Sequence, residues 1–448
     1  MLGTNQASKF GPEKNRNCKT HSEHRIEEFA VKYRGIRGAK DILPSESSKW
    51  RSVENIIHEV MHLWNYREIR TPVFEETGLF ARSIGELTDI VEKEMYTFND
   101  RSDTSLTLKP EMTASVVRAY IQNNLGQQRP LVKVFYIAPM FRQERPQAGR
   151  FRQFHQFGAE TIGSPHPEVD AELIALNLSI YERLGIQNTL LRINSVGCQL
   201  CRPGYREILK RFLEPMLSKL SAESQQRFQS NALRVLDSKN ESDQKLTVDA
   251  PLMKDLLCTE CADHFQVLQE HLRKIGVKFE VDGRIVRGLD YYTKTAYEII
   301  SPNLGSQDAL AGGGRYDLLV KELGGKETPA VGFAAGMERL LMVLDKQKYN
   351  FGEDFAPILF LAATDEAGRM WAFEKAIEFR TSGVGCEVDF LRRSLKAQMK
   401  EADRQKAKFV AIVGEKELNE RRATLRDMET GTEETVEFDR ILDHLKSR

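Results

Sequence analysis

The sequence predicts an α+β fold. A mostly antiparallel β body with flanking helices is interrupted by a helical insertion and followed by a separate small α/β domain. Three observations predict it. Residues 141–160 read as two strands joined by a tight turn at Gln147-Ala148-Gly149. Residues 198–278 break the strand-rich rhythm with charged, helical sequence. After Pro357, apolar strands and helices alternate. With 448 residues, two or three domains and a large core are expected. The divisions drawn from these patterns are a flexible extension over 1–34, a body over 35–197 that resumes over 279–350, the insertion between its halves, and a C-terminal domain over 356–448.

Along the chain, residues 1–34 are polar and lack periodicity; Glu13, Glu23, Glu27 and Glu28 argue against a transit peptide. Pro44-Ser45-Glu46 is a helix start, and Trp50, Val53, Ile56, Ile57, Val60, Met61 and Trp64 follow at helical spacing up to about Tyr66. Glu68 to Val73 reads as an edge or interface strand because of Pro72. Met95–Phe98 and Ser105–Leu108 read as a hairpin, and Lys109-Pro110-Glu111-Met112-Thr113 as a helix start with proline near the first turn. Leu131–Tyr136 is a strand, Val169–Leu184 a helix and Leu190–Asn194 a strand. Strands resume at Lys278–Val281 and Ala296–Ile300, and Pro329–Leu344 holds a small-residue strand running into a helix. In the last domain, strands at 358–361, 387–390 and 409–413 flank helices at 365–380 and 394–406.

Bulk properties exclude several classes. No apolar run is long enough to span a bilayer, and no signal-peptide stretch opens the chain, so a cytoplasmic location is expected. Lys+Arg and Asp+Glu both total 65, so global charge gives no sign of a nucleic-acid partner. Local charge does: residues 391–409 carry Arg392, Arg393, Lys396, Lys400, Arg404, Lys406 and Lys408 against Glu401 and Asp403. Leu391, Leu395, Met399 and Ala402 would form the apolar side of that basic helix, which is either a solvated face or an RNA contact. Six cysteines do not make a disulfide framework in a chain of this size. Cys198-Gln-Leu-Cys201 and Cys258-Thr-Glu-Cys261 are two chelating pairs that together suit a structural Zn²⁺ site at the base of the insertion; the alternative is four ordinary thiols. Cys18 and Cys386 are isolated.

The chemistry concentrates in the 141–160 hairpin. Arg142, Glu144, Arg152, Phe154 and Gln156 share a parity, so side chains of both strands line a common face. Guanidinium, carboxylate, amide and aromatic ring suit a pocket for a phosphorylated, planar ligand better than a core. A salt-bridged exposed hairpin is the plain alternative. Arg287-Gly-Leu-Asp-Tyr291-Tyr292, Gly312-Gly-Gly-Arg315-Tyr316-Asp317, and Thr328 through Arg339 are further constellations, each weak alone.

Together, and in this order, these segments resemble the histidyl-tRNA synthetase family of class II aminoacyl-tRNA synthetases. The helix and strand ending at Pro72 resemble class II motif 1, the hairpin motif 2, and the stretch ending in Arg339 motif 3. The resemblance covers about residues 35–448. It implies an antiparallel-sheet catalytic domain with a helical insertion and a C-terminal anticodon-binding domain. It also implies a homodimer that activates L-histidine with ATP and Mg²⁺, then charges tRNA(His). By resemblance, Arg142 and Arg287 hold the α-phosphate and the attacking carboxylate, with Arg287 most specific to catalysis and also histidine-binding. Arg339 binds the far phosphates, Phe154 stacks on adenine, and Glu144 lies near its amino group. Glu160 and Tyr292, with Tyr291 close by, take the imidazole; Glu111, Thr113 and Gln156 take the α-ammonium. Arg145, Gln147 and Arg150 would approach the tRNA acceptor end, and Arg393, Lys396 and Lys400 the anticodon stem. Met112 and Leu318 stand where the family usually has glycine. A related alternative is a non-catalytic, synthetase-like regulatory subunit of ATP phosphoribosyltransferase. Such paralogues typically lack the C-terminal domain and parts of these signatures. A synthetase-like sensor domain of a kinase has no kinase segment here to support it.

Overall fold

An eight-stranded sheet carries the body of the chain. The structure is a computed structural model and describes residues 33–84, 90–147, 149–238, 240–286, 289–304, 309–352 and 355–446. The chain divides after Ile36, and the described strands and helices all belong to the unit beginning at Arg37. Apart from Tyr33 and Arg34, the N-terminal extension with Cys18 lies outside the described residues. The strands of the body are β1 (Arg67–Glu68), β2 (Phe74–Glu76), β3 (Tyr96–Asn99), β4 (Ser105–Leu108), β5 (Val132–Phe141), β6 (Gln153–Ile162), β7 (Leu190–Ser195), β8 (Glu280–Val281), β9 (Thr293–Ile300), β10 (Ala309–Arg315) and β11 (Ala330–Gly336). The large sheet runs β1-β5-β6-β11-β10-β9-β7-β8; β1–β5 and β7–β8 are parallel and the other pairs antiparallel. A small sheet, β2-β4-β3, lies apart from it in hydrogen bonding.

The helix Pro44–Leu63 buries Val53, Ile57, Val60 and Met61, the stripe its spacing predicts, and stops at Asn65, whose φ of 60° is left-handed. The strand expected over Glu68–Val73 is instead split. Ile69 donates once more to Phe135 (2.8 Å), and the chain then leaves the ladder before Pro72, which has no N–H to give. The helix after Pro110 starts later than expected, at Thr113, because Glu111 caps it: its carboxylate accepts from the N–H groups of Thr113 (2.7 Å) and Ala114 (2.9 Å). Met112 (φ −105°, ψ −27°) and Leu318 (φ −97°, ψ −20°) have ordinary right-handed backbones, so neither position needs glycine.

Between Ser195 and Glu280 the described chain contains helices only. The helix Cys201–Leu213 and the turns after it share a core of Tyr205, Leu209, Leu213, Val235 and Met253. The final helix, Thr259–Lys274, behaves differently. It turns Phe265, Leu268 and Leu272 into the main core, beside the helix Pro167–Arg183. The C-terminal strands β12 (Leu359–Ala363), β13 (Cys386–Val388), β14 (Phe409–Val413), β15 (Arg422–Asp427) and β16 (Glu433–Glu437) order as β13-β12-β14-β15-β16. The last two are not among the strands expected from the sequence, although Gly431 (φ 73°) marks their turn and Ala423 and Leu425 alternate inward. Among the described residues, no helix is long and apolar enough to cross a membrane.

The two halves of the body are pinned by a charge pair sealed from solvent. Asp170 and Arg315 are both fully buried and paired through Oδ1 and Nη1. Asp170 also accepts from Thr295 Oγ1 (2.6 Å) and contacts His264 Nε2 (2.9 Å), while Arg315 donates to Asp317 (3.1 Å). Burial alone would raise the Asp170 carboxyl; the Arg315 charge and these hydrogen bonds outweigh it and hold it below its ordinary value. The pair's stabilisation is therefore present above the unfolded carboxyl range and is lost as pH falls through the lower folded value. Arg315→Met, which strands the carboxylate, is expected to cost about 3–5 kcal/mol in equilibrium urea unfolding. A loss under about 1 kcal/mol, the size of a surface pair, would show that the interaction does not pin the fold.

Candidate active site

Strand β6 acts as a ruler. Phe154, Gln156, Gly158 and Glu160 project from one face. Gln156 lies opposite Ala138 on β5 and Gly336 on β11; Glu160 lies opposite Val134 and Gly332. A Cβ at Gly332 would stand 1.5 Å from Glu160 Oε2, so only glycine leaves the carboxylate its place.

At one end of this face opens a cavity of about 260 Å³. Arg142, Glu144, Phe154, Gln156 and Arg339 line it, together with Arg150 and the backbone of 309–312. Arg142 and Glu144 lie beyond the end of β5, not on it as their parity suggested. One more cross-strand bond, from Arg142 N to Arg152 O (2.9 Å), follows β5; Gln143 then donates to Glu94 O (2.8 Å) and Arg152 to Gly38 O (2.7 Å), and pairing resumes only at the Gln147–Arg150 turn. Arg142 donates through Nε to Pro110 O (2.9 Å), and its guanidinium lies 5.3 Å from the Phe154 ring centroid. Arg339, in the first turn of the helix Met337–Lys346, donates to Ala309 O (2.8 Å) and Gly149 O (3.3 Å). Among the described residues Gln156 Oε1 is buried without a hydrogen-bond partner, a cost that a ligand donor would remove.

Farther along the same face, Glu160 is fully buried. Thr113 Oγ1 donates to its Oε1 (2.9 Å) and the Tyr316 hydroxyl to its Oε2 (2.5 Å). Tyr291 and Tyr292 are buried beside them, with ring centroids 4.8 Å apart; the Tyr291 ring lies 5.7 Å from that of Tyr316. Burial pushes the Glu160 carboxyl up to about 8, against the two hydrogen bonds, with Glu111 nearby raising it further. Glu111, also buried, is raised chiefly by burial. Glu111, Thr113, Glu160, Tyr291 and Tyr292 thus form one polar cluster in an apolar shell of Met112, Val116 and Ala296. Arg287 lies outside the described residues.

Two participants received no role from the sequence, although Tyr316 lies in one of the segments that carry the resemblance. Tyr316 sits there within a glycine-rich segment; its signal is its place after the buried Arg315, which turns it to the opposite face. Glu338 lines the cavity and accepts from the His155 backbone (2.9 Å) while touching its Nδ1 (3.0 Å); one residue before Arg339, it reads as helix surface.

The remaining candidates separate into two groups. Arg145, Gln147 and Arg150 are exposed around the hairpin tip, Arg150 pairing with Glu144 (3.2 Å). The basic helix is shorter than 391–409: it spans Leu395–Arg404, and Leu391 is 73 % exposed, not part of an apolar side. Left-handed backbones at Arg392 and Lys406 bound it. Lys396 and Lys400 are exposed, whereas Arg393 is held by Asp389 (2.5 Å) and Glu401 (3.1 Å).

The four cysteines converge. The Sγ atoms of Cys198, Cys201, Cys258 and Cys261 all lie within 4.8 Å of one another, with Cys198 3.7 Å from Cys201 and 3.8 Å from Cys258. Tetrahedral zinc with Zn–S of about 2.3 Å needs sulfurs about 3.8 Å apart. Burial pushes the Cys201 thiol up, but hydrogen bonds, including the Cys258 N–H at 3.2 Å, bring it down to about 7; burial and neighbouring sulfurs raise Cys261. The spacing fits a tetrahedral ion, and only with such a cation could all four sulfurs be thiolates in this space.

The family model for histidyl-tRNA synthetase matches residues 38–340, and an anticodon-binding domain matches 361–448. The chain belongs to the histidyl-tRNA synthetase family. It is 47 % identical over 412 residues to a histidine–tRNA ligase of Desulforamulus reducens, covering 92 % of this chain and 98 % of that one. It is 48 % identical to one of Syntrophotalea carbinolica, covering 91 % and 96 %. The crystal structure of apo S. aureus histidyl-tRNA synthetase superposes with a TM-score of 0.78 at 37 % identity, covering 92 % of this chain and all of that one. A Bacillus halodurans structure titled ATP phosphoribosyltransferase regulatory subunit/histidyl-tRNA synthetase shares the fold at 21 % identity and a TM-score of 0.60. The class II fold expected from the sequence is the one observed, and the chain is an enzyme of the synthetase type; the regulatory alternative is not favoured.

The raised Glu160 carboxyl has a measurable consequence. From about 4.5, its ordinary value, to about 8, the folded chain holds a proton that the unfolded chain has released. Stability is therefore lost as pH rises through that window, with a slope of up to about 1.4 kcal/mol per pH unit from this group. Comparing urea unfolding of wild type and Glu160→Gln across pH 5–8 isolates it; identical slopes would remove the assignment.

Proposed function

We propose that this synthetase binds ATP in the 260 Å³ cavity and L-histidine against the Glu160 cluster on the same strand face. There it forms histidyl-adenylate and then charges tRNA(His). A histidine carboxylate oxygen attacks the α-phosphorus, the bond to pyrophosphate breaks, and pyrophosphate leaves. A hydroxyl of the terminal tRNA ribose next attacks the histidyl carbonyl and releases AMP. The observation that carries this reading is Gln156 Oε1, buried and, among the described residues, unpartnered where the guanidinium-lined cavity meets the strand leading to Glu160.

Each side chain has a separate task. ATP enters as its Mg²⁺ complex, as class II synthetases generally use it, and the oxygen-rich triphosphate suits that hard cation. Arg142 and Arg287 neutralise the α-phosphate and the approaching carboxylate, where a planar fork serves better than a point charge. Arg339 holds the far phosphates. Adenine stacks on Phe154, with Glu144 accepting from its amino group. Glu111 keeps lone pairs beyond its two capping bonds and, with Thr113 and Gln156, receives the α-ammonium. Glu160 is mostly protonated at neutral pH, so it presents a donor to one imidazole nitrogen, and the Tyr292 hydroxyl serves the other. Polar partners left unpaired by other amino acids supply the discrimination.

The exposed hairpin residues Arg145, Gln147 and Arg150 would meet the acceptor end of the tRNA. Lys396 and Lys400, with Arg393 braced behind them, would meet the anticodon stem through their charge. We read 35–197 with 279–350 as the catalytic domain, 198–278 as its insertion and 356–448 as the anticodon-binding domain. We assign the work to the cytoplasm, where tRNA is charged for translation, and the active form to a homodimer joined through the motif 1 region. Sedimentation equilibrium should then give twice the chain mass; a monomer fully active in charging opposes the dimer. The four cysteines are read as a structural Zn²⁺ site. Arg287→Ala is expected to abolish histidine-dependent pyrophosphate–ATP exchange while histidine binding stays measurable by calorimetry. Retained exchange would refute the role of Arg287; loss of histidine binding alone would make it a binding residue.

A further inference from the structure

The cysteine cluster and the tyrosine segment of the histidine pocket are built as one unit. Arg202 directly follows Cys201. Its Nε donates to Val196 O (3.2 Å), and its Nη2 donates to the backbone carbonyl of Tyr292. One guanidinium thus bridges the chain entering the first Cys-x-x-Cys pair and the segment carrying Tyr291 and Tyr292. A second tie comes from the other pair. Glu260 stands between Cys258 and Cys261, and its Oε1 accepts from Lys294 Nζ at 2.7 Å. Lys294 lies two residues past Tyr292 in a left-handed conformation (φ 49°), which disfavours a residue with a Cβ. Reciprocal backbone bonds hold it there: Lys294 N to Gly197 O (2.9 Å) and Val196 N to Lys294 O (2.8 Å). Gly197 precedes Cys198, and a Cβ there would meet Cys201 Cβ at 2.9 Å. The residues beside the four sulfurs therefore contact the chain on both sides of Tyr292.

We infer that Arg202 is a positioning residue for the histidine pocket, and that a metal ion held by the four cysteines sets its geometry. The inference rests on the proposed histidine site and on zinc at the cysteines. Partners that orient site residues from behind are commonly worth 10–100-fold in affinity or activity. Arg202→Gln should therefore raise KM for histidine about tenfold or more in pyrophosphate–ATP exchange, with KM for ATP within about twofold and kcat little changed. Arg202→Lys keeps the charge but not the fork spanning two carbonyls, and should fall between Gln and wild type. Wild type purified without chelator should contain one zinc per chain. The Cys198→Ser/Cys258→Ser double variant should lack it and show the same histidine-selective defect. Adding Arg202→Gln to that double variant should have little further effect, because both changes act on one chain of contacts.

Thermal unfolding of each variant guards against simple misfolding. A histidine KM unchanged in Arg202→Gln, or equal losses for histidine and ATP, overturns the positioning role. Wild type free of zinc, or fully additive defects, overturns the metal coupling. Glu160→Gln separates the two readings. If it leaves histidine KM unchanged, the pocket assignment itself fails. If it raises KM while Arg202→Gln is silent, the positioning role of Arg202 fails and the pocket assignment stands.

Discussion

The body of this synthetase is organised by the sealed pairing of Asp170 with Arg315. A carboxylate and a guanidinium removed from water are tolerable only when each meets the other and their remaining hydrogen-bonding capacity is used. Here that demand recruits Thr295 from β9, His264 from the last insertion helix and Asp317 beyond β10, so one ion pair fixes the relative positions of four chain segments. Its functional consequence lies one residue away. With Arg315 committed to this face, Tyr316 faces the other and reaches Glu160. The same residue pair thus locks the scaffold and completes the polar cluster of the pocket.

The strand face carrying the site depends as much on missing side chains as on present ones. Glu160 occupies the space that Gly332 leaves open, and Gly158 similarly makes room for the Tyr136 hydroxyl. Polar groups stripped of water at this depth cost energy until a ligand answers them. The Gln156 oxygen, unpartnered among the described residues, is of this kind, whereas both oxygens of Glu160 are already met by Thr113 and Tyr316. The cavity differs in character because its guanidinium groups remain partly open to solvent.

Charge in the C-terminal domain is less available than its count suggests. Arg393 and Arg404 both pair with Glu401, and Arg393 also with Asp389, so these cations brace the helix Leu395–Arg404 and its approach. Lys396 and Lys400 remain exposed on the same helix. Counting bases along a sequence overstates an RNA-binding face, because neighbouring carboxylates are invisible until the chain is folded.

Much was legible in the linear sequence because it is local. The stripe of Val53, Ile57, Val60 and Met61 foretold its helix, the strand–helix alternation of the last domain β12, β13 and β14 but not β15 and β16, and the ordered motifs the family. The face shared by Phe154, Gln156 and Glu160 also follows from strand periodicity alone. What the sequence could not decide depends on partners distant along the chain. Backbone groups of Glu94 and Gly38 draw the chain from the ladder just past Arg142, so that Glu144 leaves the strand pairing that its parity suggested. The carboxylate of Glu111 delays the next helix to Thr113. Four thiols spread over sixty residues meet within 4.8 Å, and Tyr316 finds Glu160 across 156 residues. Periodicity records which way a side chain points; only tertiary packing determines what it meets there.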